Sequence, residues 1–140
     1  MAIRGLTLSS TFEYQSDADP DKGTANATVF VLGPLDVFVS THLFDGAMEV
    51  GPDQQVQFRS NAANLDAVRF GLKGWRNFKN EDGSDIPFET TERNLLGRKY
   101  VGVFDDCLAR ISIDEVRVMA TQIREASLVQ EAEAKNSAGV

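Results

Sequence analysis

Cysteine is almost missing from this chain: Cys107 is the only one in 140 residues. A single thiol excludes an intrachain disulfide and any multi-cysteine metal site, and beside Leu108 it reads as a small buried apolar residue. Histidine is equally scarce. His42 stands alone, without a second histidine or a neighbouring nucleophile, and reads as a surface or structurally satisfied side chain rather than a base. There is no Ser-His-Asp set with a glycine elbow, no phosphate-cradling glycine motif and no histidine cluster. Neither catalysis nor a metal or cofactor is expected. Positive charge is short as well, 14 Lys and Arg against 21 Asp and Glu for a net −7, which argues against a general nucleic-acid binder. No run approaches the roughly 20 apolar residues of a membrane span. Met1-Ala2-Ile3-Arg4 lacks the apolar core of a secretory signal, so synthesis in a cytoplasm and no membrane partner are expected.

What is present suffices for one domain. At 42% hydrophobic the chain can bury a core without staples. The expected organisation is a single α+β domain over residues 1–127, with a small antiparallel sheet, a central helix and a long C-terminal helix, followed by a polar tail at 128–140. Charge is unevenly spread: residues 1–56 are net −6, residues 57–104 net +2 and residues 105–140 net −3. Copies of such a chain can meet with opposite potentials facing.

Near-alternation of apolar and polar groups predicts a strand over residues 5–14. Gln15 to Asn26 is a polar loop. Its Asp17, Asp19 and Asp21 resemble a calcium loop, but Lys22 and Thr28 stand where glycine and glutamate are needed, so a solvated acidic loop is expected. Thr28 to Leu32 is the most strand-like stretch, stopped by Gly33-Pro34. Leu35 to Phe44 fits either period. Pro34 suits a first helical turn, which favours a helix with Leu35, Phe38, His42 and Asp45 on one side. A short strand at 56–58 leads to a helix capped by Asn61, whose apolar face is Leu65, Val68, Leu72 and Trp75. Gly71 and Gly74 interrupt it, marking its end or a close backbone approach.

Glu81-Asp82-Gly83-Ser84 is the strongest turn signal, Ile86-Pro87-Phe88 reads as extended, and hairpin strands are expected around 76–104 with a bend at Gly97. Asp105 to Ile111 predicts one or two helical turns. Ser112-Ile113-Asp114-Glu115 then forms a capping box opening a helix whose apolar face is Ile113, Val116, Met119 or Ala120, Ile123 and Ala126.

Three short motifs carry a resemblance: Gly71-Leu72-Lys73-Gly74-Trp75-Arg76-Asn77-Phe78, the acidic Glu81-Asp82-Gly83 turn, and the Ile86-Pro87-Phe88 step. With the D-P-D-K-G-T-A-N-A-T-V-F-V-L-G-P-L-D segment and the capped Ile113 to Val116 pattern, the chain resembles small proteins of the structural-gene modules of tailed bacteriophages. The resemblance implies a non-enzymatic virion component that assembles in many copies with itself and other virion proteins. A tail-assembly chaperone missing from finished particles is the alternative. Basic residues interleaved with aromatics leave a nucleic-acid-binding accessory protein as a third reading. The interface candidates are Trp75, Arg76, Phe78, Arg69 and Lys73, with Trp75 read either as core or as the anchor of a contact.

Overall fold

The computed structural model describes residues 3–50, 56–58 and 60–128. In chain order the elements are β1 (Phe12–Tyr14), β2 (Val29–Leu32), α1 (Val37–Ala47), β3 (Met48–Val50), β4 (Val56–Phe58), α2 (Ser60–Gly71), β5 (Leu72–Arg76), β6 (Thr90–Leu95), β7 (Arg98–Val103), α3 (Asp105–Leu108) and α4 (Ile113–Ser127). Among the described residues the strands form an antiparallel β1-β2-β5 sheet and two hairpins, β3-β4 and β6-β7. This is an α+β fold, with α2 at its centre, packed on α1, α4, β5 and β7. The expected tail from 129 to 140 lies outside the described residues.

The sheet shows why the reading of a helix continuing to Trp75 fails. β2 sets Phe30 opposite Trp75 and Leu32 opposite Leu72, two residues against three, so Lys73 is the extra residue of a β-bulge. Opposed residues share a face. Leu72 and Trp75 therefore point to one side at a spacing of three, which in sequence is indistinguishable from a helical stripe. The helix itself stops at Gly71, whose carbonyl accepts from Gly33 N at 2.8 Å. A Cβ on Gly71 would lie 2.6 Å from both Ile123 Cδ1 and Ile123 Cγ2, so the glycine also marks a close approach of α2 to α4. Asn61 is not the cap: it sits inside α2, and its Oδ1 accepts from Arg117 Nε at 3.4 Å.

The strand expected over residues 5–14 is only Phe12–Tyr14. β2 offers a partner for three residues, Phe12 against Leu32 through Tyr14 against Phe30, and alternation without a partner makes no ladder. Upstream, a turn closes with Ser10 N donating to Thr7 O. Asp19 accepts from the Asp21 and Thr28 amides at 2.9 and 2.8 Å, and Asp17 pairs with Lys22.

Helix α1 forms as expected, but within it Val39 and Leu43 are buried whereas Phe38 and Asp45 are exposed; Leu35, also buried, precedes the helix. Its start is set by Asp36, whose Oδ1 accepts from Val39 N at 2.8 Å. Around Asp82-Gly83, with Gly83 at φ +86°, pairing is confined to a bridge between Lys79 and Asp85. The true ladder is β6-β7, turned by Leu96 and Gly97, both at positive φ as a tight two-residue hairpin requires.

Helix α4 buries Val116, Met119, Ala120 and Ile123, while Ile113 is exposed. Ser112 Oγ accepts from Glu115 N at 3.3 Å. The reciprocal arm of the capping box is replaced: the Glu115 carboxylate accepts from the hydroxyls of Tyr14, at 2.7 Å, and Ser16. Cys107 is buried, its Sγ 3.4 Å from Pro87 O.

Candidate interaction surface

The five interface candidates do not form one patch. Trp75 and Phe78 meet at 4.9 Å between ring centroids, and both pack on Phe30; Trp75 also meets Phe88 edge-on at 4.9 Å. Trp75 Nε1 donates to Ile86 O at 2.7 Å. The indole is half-buried against the core with its polar tip satisfied, which ties the Trp75 motif to the Ile86-Pro87-Phe88 step. Arg76 lies on the opposite face of the sheet and pairs with Glu13 at 2.8 Å. Arg69 projects from α2 towards Asp66 and Asp105. Lys73, at the bulge, donates from Nζ to Phe70 O at 2.8 Å.

A cavity of about 320 Å³ opens beside Phe30 and Phe78, with Ser16 and Glu115 on its wall. Ser16 and Glu115 hold the loop after β1 onto α4, across about a hundred residues of chain, and Tyr14 of β1 donates to the same carboxylate. Burial first, and then the hydrogen bond to Glu115, pushes the Tyr14 phenol from 10.0 up to about 12. The fold therefore favours the neutral phenol. That contribution is complete below about pH 10 and is lost as pH rises to about 12, because the unfolded chain gives up the proton first. Urea titrations across this window should show an alkaline loss of stability that is shallower in Tyr14→Phe. An identical slope in the two proteins would dismiss Tyr14 as its source.

A second opening, about 220 Å³, runs between α1 and β7 and is lined by Leu8, Val39, Phe70, Lys73, Tyr100 and Val101 among others. Two side-chain contacts set its geometry. Tyr100 OH donates to Asp36 Oδ2 at 2.9 Å, and the Arg98 guanidinium lies 4.6 Å above the Phe38 ring. Desolvation in the groove lowers the Lys73 pKa from its ordinary value. Large apolar side chains remain in water beside it: Leu8 is 52% exposed, Val37 69%, Phe38 45% and Val101 60%.

Comparisons with known protein families, with curated proteins and with solved structures find no match. The groove was invisible in the sequence because its walls are drawn from segments near residues 8, 36, 73 and 100. One local signal could have pointed to it. Phe38 lies on the exposed side once Asp36 is recognised as the cap, and an exposed phenylalanine at the start of a helix asks for a cover.

Proposed function

We propose that this chain is a non-enzymatic structural component of a tailed-bacteriophage virion, assembling in multiple copies through protein–protein contacts. The observation that carries the reading is the apolar margin of the α1–β7 groove, where Leu8, Val37, Phe38 and Val101 stand exposed on neighbouring elements. Isolated exposed apolar residues are ordinary, whereas a set gathered around one groove is the composition of a contact surface. The residues of the phage-like motifs support the same reading in another way. They serve as a folding unit, a helix stop at Gly71, a bulge at Lys73 and an aromatic cluster at Trp75, Phe78 and Phe88. Polar groups at both openings are also engaged in structural bonds, Ser16 to Glu115 at one and Tyr100 to Asp36 at the other.

Lys73 lines the groove together with Asp36, and Arg98 and Lys99 immediately precede its lining residue Tyr100, while residues 1–56 are net −6. A second copy presenting its acidic first third complements these cations. Phe38→Glu and Val101→Glu change exposed positions and should leave the monomer folded. Both are expected to weaken self-association or incorporation into particles by about tenfold or more, as removal of a central contact does, read by sedimentation velocity and by quantitative peptide mass spectrometry of purified particles. Unchanged incorporation of both variants removes the groove from the assembly. Absence of the wild-type chain from finished particles, with the chain abundant in producing cells, replaces the structural reading by the assembly chaperone.

A further inference from the structure

Leu96, at the tip of the β6-β7 hairpin, does nothing for the fold that another residue would not do better. It adopts φ +53° in the tight turn closed by the Leu95–Arg98 pair, and it is 60% exposed. Such a turn favours asparagine or glycine. A leucine there is disfavoured twice, by the steric cost of a left-handed backbone and by an apolar side chain left in water. Local rules broken at an exposed position mark residues kept for a contact rather than for the fold.

The complementary feature is the cavity beside Phe30 and Phe78. Polar groups on its wall are bonded within the chain: Ser16 to Glu115, Thr28 Oγ1 to Asn77 O at 2.7 Å, Asp19 to the Thr28 amide at 2.8 Å and Arg110 Nη2 to Asn80 Oδ1 at 2.6 Å. These bonds fix the walls and spend the directed groups that a polar ligand would need. What remains is apolar: exposed Ala18 at the mouth, the half-buried Phe78 ring, and Phe30 and Ile111 behind them. The volume of about 320 Å³ lies at the small end of the roughly 300–1,000 Å³ typical of ligand cavities, with room for one branched aliphatic side chain. The surroundings are acidic even with the cations counted. Residues 16–28 and 110–115 hold five carboxylates against Lys22 and Arg110, net −3, whereas the hairpin tip, residues 94–99, holds Arg98 and Lys99 and no acid, net +2. An apolar hole in an acidic field fits an apolar tip with a basic flank.

We infer that the Leu96 tip of one copy docks into the Phe30–Phe78 cavity of a second copy, with Arg98 and Lys99 facing its acidic loop. Knob and hole belong to different elements, so the contact is heterologous and propagates head to tail into a ring or a filament. The inference rests on the self-association proposed above for the identity of the partner, but not on the α1–β7 groove.

Two variants test it. Leu96→Asn removes the knob and suits the turn, so the monomer should be at least as stable as the wild type. Ala18→Arg changes an exposed position and obstructs the hole with a bulky cation. Each is expected to weaken self-association by about tenfold or more, read by sedimentation velocity, with urea midpoints showing that the fold is kept. An equimolar mixture then separates head-to-tail docking from any other contact. Ala18→Arg keeps its knob and Leu96→Asn keeps its hole, so the two should bind each other about as tightly as the wild type binds itself. Impaired variants that do not complement each other overturn the inference, as does unchanged self-association in both. Loss confined to Phe38→Glu and Val101→Glu overturns this contact and leaves the groove, while a wild-type chain monomeric at every concentration overturns both.

Discussion

Gly71→Ala is expected to destabilise the fold by about 1–3 kcal/mol, the range for added volume in a packed core, although alanine normally gains about 1 kcal/mol over glycine in a helix. The reversal comes from α4. An added methyl would stand 2.6 Å from two carbons of Ile123 and 2.9 Å from its Cγ1, and Ile123 is completely buried with little room to turn aside. The change is read as a lower urea midpoint at unchanged m-value. A double-mutant cycle with Ile123→Ala isolates the clash, since truncating Ile123 removes the atoms in the way. The pair should cost clearly less than the two single changes together. Strict additivity would show that the α2–α4 approach is not what demands glycine.

Leu32→Ala is expected to cost more, about 2–5 kcal/mol, as for a fully enclosed leucine. Leu32 has 0% exposure, sits on the middle strand of the sheet, and is opposed by Phe12 on one side and Leu72 on the other. Its cross-strand neighbours belong to β1 and β5, paired strands that cannot move in as a loop would to close the cavity left behind. Leu65→Ala is the matched control. In sequence Leu65 heads the apolar stripe of α2, yet it is 37% exposed, and its truncation should stay within about 1 kcal/mol. Similar losses at the two positions, measured by thermal and urea unfolding, would mean that the layers are arranged otherwise.

These two predictions, with the alkaline behaviour of Tyr14, divide the molecule into what is locally encoded and what is not. The helix opened by Ser112, the turn at Gly83, the bend at Gly97 and the strand ending at Gly33-Pro34 are written in residues within about four positions of one another. The cap and turn bonds there are of short range, whereas the strand still needs its partners β1 and β5 to form a ladder. The stripe from Leu65 to Trp75 is different. Residues at a spacing of three satisfy a helix or a bulged strand equally, and pairing with β2 decides between them. Glu115 shows the same contest in a side chain: a local bond back to the Ser112 amide gives way to two hydroxyl donors from Tyr14 and Ser16.

The interface candidates follow this division. Trp75 and Phe78, three residues apart, are brought together, while Arg76, Arg69 and Lys73 are dispersed to different sides because a bulge, a strand face and a helix face intervene. The α1–β7 groove joins segments separated by dozens of residues.

The sequence by itself determined an α+β chain, its main turns, the cap of its last helix, and a poverty of cysteine and histidine. Only the tertiary structure decided where α2 ends, which face of α1 is buried, what Glu115 bonds and which segments wall the groove. The physical reason is range. Turn and cap chemistry is settled by neighbours in the chain, whereas faces, registers and cavities are settled by which distant surfaces exclude water together.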